Sequence, residues 1–597
     1  MRWTVDEPED LEFVRQVFEA IYPVKPDFTM KDVLDLLERQ SELMDINSRH
    51  SRRCKYEQIH RNRIGSTPRA EAKHEGTVLF IRTDANRHTG IGHFMRCLAL
   101  GQAYKDTGGD VVFLGHFEKE STRKRIEDER FQCISLEKTC TAKEDAQCTL
   151  DAIRSWKGNP AVCESMHPAK AAKRASWVVI DGYHFDTEFQ QNIKTAGFYT
   201  VVIDDNAHMP KYHGHIIVNQ NIYGHRLHYA CEPETVLLLG SDYALLRREF
   251  RDADRTDRRI KETVRNILIT FGGVDSKNQT GFSIDALNEL KLDHNFTARI
   301  IIGPENSKKE QLEEQLQTAV FDYELLCDES DMHRVMMKAD IVLSAAGSTC
   351  WELCFMGVPS IVSAVSENQI DVADTLKRMN IADSMGWWQD RSRTKLRDAI
   401  HRLIRNASIR VSMSRKAKQL IDGKGVWRIL NAMVMISEGI STDDITLREA
   451  EYADSPQLYQ LANNPVIRQC SFHPETFNFR SHDRWYQQKL SDPQRTRICL
   501  LEYKGLIVAQ ARYDRVDERT AEIDFSVHPT FQEKGLGAMM LKLSVSVAGE
   551  MSGVDRLRGI VFESNLASQR CFSKADYRVA ANTVIKDIPC LIYERTL

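Results

Sequence analysis

The sequence predicts an α/β protein made of a short helical tail, two doubly wound domains and a smaller α+β domain. Three observations lead to this fold class. Short apolar runs alternate with helical stretches in two successive series, as is typical of strands buried on both faces of a parallel sheet. Runs that alternate polar and apolar residues then follow, as is typical of a largely antiparallel sheet. The first residues instead repeat apolar side chains at helical spacing.

The composition is that of several globular domains. At roughly 150 residues per domain, the 597 residues suggest about four units. Hydrophobic residues make up 42% of the chain and charged residues 28%, which excludes a largely disordered or fibrous protein. The net charge of −4 argues against a general nucleic-acid binder, because neutralising phosphates requires a surplus of Lys and Arg.

Cysteine usage and hydropathy indicate the compartment. The 14 cysteines are scattered without a Cys-x-x-Cys pair, which indicates a reducing compartment and no metal cluster. Cys350 and Cys354 lie close together, and their spacing is that of packing on one helix face. The first residues contain no apolar signal region, and no apolar run approaches the ~20 residues of a membrane span. We therefore expect a cytoplasmic protein that binds neither a membrane nor a metal ion.

Changes of pattern along the chain predict the domain boundaries. The predicted segments are a helical tail (1–48), a basic linker (49–75), a first doubly wound domain (76–250), a second one (251–440) and an α+β domain (445–597). The basic linker could contact an anionic partner, but a solvated linker is the favoured interpretation. The charged, irregular segment 117–175 predicts an insertion in the first domain.

The predicted strands follow the apolar runs. They are 78–81, 111–114, 177–180 and 199–203 in the first domain, 266–270, 299–302, 340–343 and 360–363 in the second, and 498–502, 507–513 and 521–527 in the third.

The first candidate site is a histidine on a glycine-containing turn. The run Gly90-Ile-Gly-His-Phe-Met-Arg96 follows the first strand, and Gly90 and Gly92 allow the backbone to approach a ligand closely. His93 begins the next helix, where the helix dipole disfavours a protonated ring and so predicts a neutral imidazole that can accept a proton. That ring would lie at the carboxyl edge of a parallel sheet, where it could activate water. The alternative is a histidine that only caps the helix or packs against the sheet.

The motif around His93 resembles the opening motif of the UDP-sugar hydrolases of pseudaminic acid biosynthesis. Further stretches fit the same family over about 76–437; they are 179–183, 202–205, 219–221 and 240–250. The resemblance implies that His93 is catalytic and that Tyr183 is an active-site tyrosine, which could otherwise be a packing residue at a strand end. It also implies hydrolysis of UDP-2,4-diacetamido-2,4,6-trideoxy-β-L-altropyranose to the free sugar and UDP, with His93 taking a proton from water.

The second candidate site is a nucleotide cradle in the second doubly wound domain. Gly272 and Gly273 follow a strand at the expected start of a helix, where backbone N–H groups and the helix dipole could bind a diphosphate. The segment 344–352 also turns from strand to helix, and Glu352 would accept hydrogen bonds from two ribose hydroxyls. The alternative for Glu352 is a capping box with Thr349, which needs no ligand.

This half of the chain resembles the GT-B enzymes that use nucleotide sugars. The segments 357–359 and 367–369 follow at the spacing seen in those enzymes. In the hydrolase family the asparagine of the second segment reaches the substrate, which implies that Asn368 joins His93 and Tyr183 as a catalytic residue. The expected UDP-binding residues are Gly272, Gly273, Gly347, Ser348, Glu352, Asn368 and Gln369.

The third candidate site lies between a strand and a helix of the α+β domain. Gln532-x-x-Gly535-x-Gly537 would present open backbone amides to a pyrophosphate, although a plain strand–turn–helix remains the alternative. The residues 445–597 resemble the GNAT acetyltransferases. The resemblance implies acetyl-CoA as a co-substrate, bound by Gln532, Gly535, Leu536, Gly537 and, at its pantetheine arm, Asn565.

The chain departs from the GNAT pattern in its last helix. Phe572 stands where many members have a tyrosine that can protonate the departing thiolate, and Asp576-Tyr577 replaces the usual Gly-Phe. Acetyl-CoA binding is therefore predicted more firmly than efficient turnover. Glu522 and Glu563 are candidate bases for the amine, although an ordinary sheet residue is the favoured interpretation of each.

The tail resembles the end of the cytidylyltransferases that activate nonulosonic acids. The nucleotide loop of that family is missing, so we expect a non-catalytic remnant through which the chain could oligomerise. The sequence as a whole predicts a UDP-sugar hydrolase fused to an N-acetyltransferase, with the UDP-sugar and acetyl-CoA as its small-molecule partners. The alternatives are a GT-B glycosyltransferase and a hydrolase with a catalytically silent GNAT module. A legionaminic-type substrate also stays open.

Overall fold

The structure is a computed structural model. It describes residues 8–23, 25, 32–33, 36, 74–85, 91–137, 141–157, 176–253, 255, 258–290, 292, 295–304, 306–329 and 331–597. Two compact units divide the chain, residues 1–67 and 68–597. In the first unit, α1 (Pro8–Ile21) buries Val17 and Ile21 and forms ion pairs from Arg15 to two glutamates. The second predicted helix of the tail and the basic linker lie largely outside the described residues.

A parallel sheet opens the second unit, as the apolar runs predict. Its strands are β1 (Val78–Thr83), β2 (Asp110–Gly115), β3 (Gln132–Ser135), β4 (Trp177–Asp181), β5 (Tyr199–Ile203), β6 (Ile216–Asn219) and β7 (Val236–Leu239). Its helices are α2 (Gly92–Asp106), α3 (Glu120–Asp128), α4 (Ala142–Lys157), α5 (Thr187–Thr195) and α6 (Arg248–Arg251). Within the described residues the strand order is β3-β2-β1-β4-β5-β6-β7.

The prediction of an insertion over 117–175 is wrong for the described part of that segment. That part contains helix α3, strand β3 and helix α4, and β3 extends the sheet by pairing with β2 in parallel. Strand β3 lies at the sheet edge and its side chains are mostly exposed. An edge strand needs no continuous apolar run, so the charged composition concealed it. Residues 158–175 lie outside the described residues.

A second parallel sheet follows. Its strands are β8 (Asn266–Thr270), β9 (Thr297–Ile302), β10 (Asp322–Cys327), β11 (Ile341–Ala345), β12 (Ser360–Ala364) and β13 (Asp383–Trp387), in the order β10-β9-β8-β11-β12-β13 along the described chain. Its helices are α7 (Gln279–Asn288), α8 (Lys309–Gln317), α9 (Met332–Lys338), α10 (Thr349–Met356), α11 (Ile370–Arg378), α12 (Arg393–Arg405), α13 (Ala407–Leu420) and α14 (Gly425–Glu438). Cys350 and Cys354 are buried on α10, as their spacing predicts.

The third sheet is largely antiparallel. Its strands are β14 (Ile445–Glu449), β15 (Thr496–Tyr503), β16 (Leu506–Arg515), β17 (Thr520–Val527), β18 (Arg556–Phe562), β19 (Arg578–Ile585) and β20 (Ile588–Thr596). Its helices are α15 (Ser455–Ala462), α16 (Pro465–Gln469), α17 (Phe479–Leu490), α18 (Leu536–Leu543), α19 (Val545–Gly549) and α20 (Leu566–Lys574). Short 3-10 turns of the second unit are Gly224–Arg226, Ser241–Tyr243, Glu367–Gln369, Trp388–Asp390, Thr442–Asp444, Tyr452–Asp454 and Pro529–Phe531.

The predicted fold class is confirmed, and the sheet orders show where ligands would bind. Each parallel sheet reverses its strand order once, between β1 and β4 in the first and between β8 and β11 in the second. Ligands of open α/β sheets bind outside the carboxyl ends of the strands at such a reversal. The turns that carry His93 and Gly272 follow β1 and β8, so both candidate sites lie at these positions. The predicted domain boundaries stay predictions.

Candidate active site

His93 lies at the start of α2 with its ring held by a buried carboxylate. Its Nδ1 is 2.7 Å from Oδ1 of Asp181, which ends β4 and is fully buried. Because a carboxylate accepts, Nδ1–H donates and the other ring nitrogen, Nε2, is left as a proton acceptor. The ring therefore bonds to a carboxylate rather than capping the helix. Gly90, the first glycine of the predicted turn, lies outside the described residues.

Arg96 lies one helical turn after His93 and joins two carboxylates. Its guanidinium donates to both oxygens of Asp181 at 2.7 Å and to both oxygens of Asp205 at 2.8 and 2.9 Å. Burial acts to raise the pKa of Asp181, but Arg96 and His93 lower it well below its usual range. Asp181 therefore stays ionised and keeps the proton of His93 on Nδ1. Nη2 of Arg96 lies 3.1 Å from Nδ1 of His93 because both groups donate to the same oxygen, Oδ1 of Asp181.

Tyr183 stands beside this histidine with an exposed ring. The two ring centroids are 4.7 Å apart in an edge-on arrangement, and 44% of Tyr183 is exposed. Its hydroxyl donates to Oδ2 of Asp205 at 2.8 Å, while Asn221 donates to Oδ1 at 2.8 Å. Burial and the Asp205 carboxylate both raise the pKa of Tyr183 well above its usual range. The hydroxyl therefore stays protonated at neutral pH.

Asn368 brings the second lobe to the same place. It lies in the 3-10 turn after β12, and its Nδ2 donates to the hydroxyl of Tyr183 at 3.1 Å. Its backbone carbonyl accepts from the hydroxyl of Tyr223 at 3.1 Å, and its Oδ1 accepts from Ser366 at 2.6 Å. The structure thus brings the three predicted catalytic residues together, although they come from three separate parts of the chain.

The nucleotide cradle predicted for the second lobe, the doubly wound domain expected over residues 251–440, would be centred on the start of α10. Ser348 precedes this helix without a side-chain cap. Gly347 is adjacent to the side chain of Gln369, since a Cβ built on Gly347 would lie 3.2 Å from its Nε2. The capping box predicted as the alternative for Glu352 does not form, because its Oε1 accepts two hydrogen bonds from Arg247 at 2.9 and 3.1 Å. No side chain caps this helix, although the N–H groups of Cys350 and Trp351 donate to the carbonyls of Gly347 and Ser348 at 2.9 and 3.0 Å.

The glycine turn after β8 differs from its prediction. The helix was expected to begin at this turn, yet α7 begins only at Gln279, and Asp275 accepts from the first N–H groups of that helix. A carboxylate therefore occupies the helix start in place of a diphosphate. Gly272 has a φ of +82° and open space where a Cβ would point, and Gly273 closely approaches only Gly303. The turn itself, rather than the helix dipole, remains available to a ligand.

The predicted acetyl-CoA turn lies where the motif places it. Gln532 donates to the carbonyl of Val527 at 3.1 Å, and Gly535 takes a φ of +82° just before α18 begins at Leu536. A Cβ on Gly537 would lie 2.6 Å from Sγ of Cys571. Glycine at this position thus lets α18 pack closely against α20.

The two parallel strands next to this turn separate. Strands β17 and β18 pair only as far as Ile523 and Gly559, although both strands continue. Backbone groups facing each other across the gap are left for a ligand. Asn565, predicted to contact pantetheine, accepts from the N–H of Ser568 and so caps α20. Glu522 lies just before the gap, and burial raises its pKa; Glu563 lies after β18.

The departures from the GNAT pattern have structural counterparts. Phe572 is buried against the rings of Phe525, Tyr577 and Tyr593, with centroids 5.0 to 5.6 Å apart. Asp576 has a φ of +66°, the left-handed conformation that glycine adopts without strain. These residues thus preserve the fold of the helix end without supplying a hydroxyl at position 572.

The prediction missed most of the charged partners of the first site. Asp181, Asp205 and Asn221 lie within stretches whose sequence resembles the hydrolase family, and Arg96 closes the opening motif. Their positions at the carboxyl ends of neighbouring strands would have grouped them once the strand order was known. Arg247 lies in the stretch 240–250, which resembles the same family, but nothing in the sequence paired it with Glu352. Among the described residues, no three His, Cys, Asp or Glu side chains are arranged to hold a metal ion. Each helix described is too short or too polar to cross a bilayer.

Two family models match this chain. The one described as "Acetyltransferase (GNAT) domain" matches residues 444–578, and the one described as "Glycosyltransferase family 28 C-terminal domain" matches residues 266–426. The chain is therefore an enzyme with a glycosyltransferase-like sugar-nucleotide domain and an acetyltransferase domain.

Two known proteins are similar to part of this chain. An uncharacterized protein of Methanocaldococcus jannaschii is 23% identical over 429 residues, which are 68% of this chain and 78% of that protein. The spore coat polysaccharide biosynthesis protein SpsG of Bacillus subtilis is 22% identical over 352 residues, 58% of this chain and 95% of that protein. Among solved structures, MurG of Acinetobacter baumannii aligns with a TM-score of 0.41 and 15% identity over 59% of this chain and 98% of its own.

Proposed function

We propose that residues 76–440 hydrolyse UDP-2,4-diacetamido-2,4,6-trideoxy-β-L-altropyranose to the free sugar and UDP. The hydrogen bond from His93 Nδ1 to Asp181 carries this proposal, because it leaves Nε2 as a base beside Tyr183. The resemblance of the motif around His93 to the UDP-sugar hydrolases supports the substrate. The glycosyltransferase domain matched over 266–426 supports a nucleotide sugar as the donor.

The chemistry proposed for His93 is general base catalysis. Nε2 takes one proton from a water molecule while the water oxygen forms a bond to the anomeric carbon. The bond from that carbon to the diphosphate oxygen breaks, and its electron pair leaves with UDP. Asp181, kept ionised by Arg96, stabilises the imidazolium that forms on His93.

The other two residues would position the sugar. The hydroxyl of Tyr183 is bonded both to Asp205 and to Asn368, so the contact between the lobes fixes its direction. Its exposed ring offers an apolar face to the C–H groups of a sugar. The uncapped start of α10 at Ser348 and the turn at Gly272 would hold the diphosphate, which departs as a stabilised anion.

Hydrolysis without an acceptor in H₂¹⁸O tests this reaction. We expect stoichiometric UDP and free sugar, and mass spectrometry should find no ¹⁸O in UDP, because attack at carbon leaves the bridging oxygen on the nucleotide. Label in UDP would contradict the proposal, since it would mean attack at phosphorus. Running the two epimeric diacetamido UDP-sugars in parallel identifies the stereochemistry, and faster release from a legionaminic-type substrate would reassign the pathway.

The matched glycosyltransferase domain favours a second candidate, transfer of the sugar to an acceptor. A glycosyltransferase would release UDP slowly without an acceptor and faster with one. A rate that saccharide acceptors leave unchanged supports hydrolysis.

We further propose that residues 445–597 acetylate the 4-amino group of the corresponding UDP-sugar. The amine nitrogen would attack the thioester carbonyl and a base would take its proton. The C–S bond then breaks, and its electron pair leaves on the thiolate of coenzyme A, which takes a proton from solvent. The gap between β17 and β18 and the turn at Gly535 support acetyl-CoA binding. Glu522, at the edge of that gap with a raised pKa, is the favoured base. This reaction would supply the substrate of the hydrolase within one chain.

Thiol release from acetyl-CoA with the 4-amino UDP-sugar tests the acetyl transfer. We expect thiol and acetylated sugar nucleotide in equal amounts. Acetyl-CoA binding without thiol release would instead identify a silent binding module, in keeping with Phe572 in place of a tyrosine.

A further inference from the structure

Arg247 forms the buried partner of the glutamate expected to bind ribose. It lies in the segment between the two parallel sheets and is only 5% exposed. Its Nε and Nη2 both donate to Oε1 of Glu352, and its Nη1 pairs with Glu249 at 2.5 Å. The guanidinium also stacks over Phe250 at 5.1 Å. Three contacts thus fix the direction of this side chain.

The two carboxylate oxygens of Glu352 have different surroundings. Both hydrogen bonds from Arg247 end on Oε1. Within the described chain, Oε2 accepts no hydrogen bond. It is not a fully buried atom either, so it keeps some contact with solvent. Glu352 is 15% exposed at the start of α10, beside Ser348 and Gly347. One oxygen is therefore committed to Arg247, while the other is left to accept a hydrogen bond from a ligand.

We propose that Arg247 is a positioning residue that aims Oε2 of Glu352 at the ribose hydroxyls of a uridine nucleotide. This inference rests on the nucleotide-binding role proposed for the second lobe. A guanidinium that donates twice to one oxygen holds that oxygen in place and favours the charged form of the carboxylate. A charged acceptor binds a hydroxyl more strongly than a neutral one. Arg247 would thereby set the selectivity for ribose without touching the ligand.

The charges around Glu352 support a role for Arg247 in keeping this carboxylate ionised. Burial raises the pKa of Glu352, the guanidinium of Arg247 lowers it, Glu249 raises it and Arg125 lowers it. Removing Arg247 leaves burial and Glu249 opposed only by Arg125. The carboxylate would then hold its proton to higher pH and lose part of its acceptor strength.

The experiment compares the dissociation constants of UDP and 2′-deoxy-UDP, measured by calorimetry on the full chain. We expect the intact chain to prefer UDP by about tenfold or more, as for a hydrogen bond to a charged group. Arg247→Gln should reduce this preference to less than about threefold at pH 7, and raising the pH should restore part of it. Arg247→Lys, which offers a single point of contact, should give an intermediate ratio. Glu249→Gln is the matched control, because it removes the charge of Glu249 while its amide oxygen can still accept from Nη1 of Arg247. Both bonds from Arg247 to Oε1 of Glu352 stay in place, and the lost negative charge favours the ionised form of Glu352, so the preference for UDP should be retained.

The outcomes separate this inference from the function on which it rests. An unchanged ratio in Glu352→Gln would show that Glu352 does not select ribose and would overturn this inference, whereas a lack of UDP binding by the intact chain would overturn the nucleotide role itself. A reduced ratio in Glu352→Gln together with an unchanged ratio in Arg247→Gln would overturn only the role of Arg247. Equal weakening of both ligands in Arg247→Gln would also overturn it, because a purely structural residue affects both nucleotides alike. Melting temperatures and acetyl-CoA binding report whether each variant is folded.

Discussion

The two candidate catalytic regions of this chain differ in the groups that form them, which are charged side chains in one and mainly backbone in the other. Around His93, buried charges meet from the ends of separate strands, and each is held by hydrogen bonds of 2.7 to 2.9 Å. In the acetyltransferase domain, the cleft consists mainly of backbone, formed by a glycine turn and by the gap between β17 and β18. Its side chains, such as Phe572, pack behind it.

This difference predicts which substitutions should inactivate each region. A site made of coupled charges depends on protonation and tautomer, so isosteric substitutions should disable it while leaving its shape intact. A site made of backbone depends on close packing, so the addition of one methyl group should harm it. The predictions below separate these two kinds of sensitivity.

Asp181→Asn should produce the largest change. The amide can donate to Nδ1 of His93 and so favour the tautomer that lacks a free base, which should lower the rate of UDP release about a thousandfold. Acetyl transfer should be unaffected. Steady-state UDP release and thiol release on one preparation measure both activities. A loss of less than tenfold with an unchanged melting temperature would contradict the role of the carboxylate.

Tyr183→Phe removes the hydroxyl that joins Asp205 to Asn368. We expect UDP release to fall about 10- to 100-fold, because the lobes lose a shared contact at the sugar. Asn368→Ala should act through the same hydroxyl, so the double variant should be little worse than either single variant. Additive losses in this cycle would show that the two residues act independently.

Gly537→Ala probes the backbone-built cleft. The new Cβ would lie 2.6 Å from Sγ of Cys571, so α18 must move and acetyl-CoA affinity should fall about tenfold. Adding Cys571→Ala should restore part of that affinity. Gly549→Ala, which meets nothing within 4 Å, is the control. Equal affinities in calorimetry for Gly537→Ala and the control would refute close packing as the determinant.

Lowering the pH should weaken the contact between the two regions. His225 packs on the ring of Phe479 at 4.3 Å, and burial lowers its pKa to about 4. Because the folded pKa lies below the unfolded value of about 6.5, the stability from the neutral ring is present above pH 6.5 and is lost as the pH falls toward 4. Lowering the pH from 7 to 5 should reduce the unfolding free energy of both chains. The reduction should be about 1–2 kcal/mol smaller in His225→Asn than in the parent chain. Equal losses of unfolding free energy in the two chains, measured by denaturant unfolding at pH 7 and pH 5, would disprove this.

The sequence determines the apolar strands and the contiguous motifs most directly. Runs such as Val78–Thr83 are recognisable because both faces of a central strand must be apolar, whereas the exposed edge strand at Gln132–Ser135 carries no such signal. The turn at Gly535 was predictable because its residues are adjacent and its φ of +82° favours glycine.

The partners of His93 were harder to predict because they come from distant parts of the chain. Asp181 lies 88 residues after His93, and only the strand order places the two together. The helix dipole, used to predict a neutral ring, says nothing about which nitrogen carries the proton; Asp181 decides that. The pairing of Arg247 with Glu352 could not be predicted, since the two residues lie 105 positions apart in the sequence, in different doubly wound domains.

His93→Ala provides the most direct measurement of the central claim, which is that Nε2 of this ring activates the attacking water. UDP release and UDP affinity should be measured on the same preparation. The account predicts that release falls to background while the dissociation constant for UDP changes less than about threefold, because the nucleotide is held by the other lobe. Retained turnover, or a loss of UDP binding equal to the loss of rate, would contradict it.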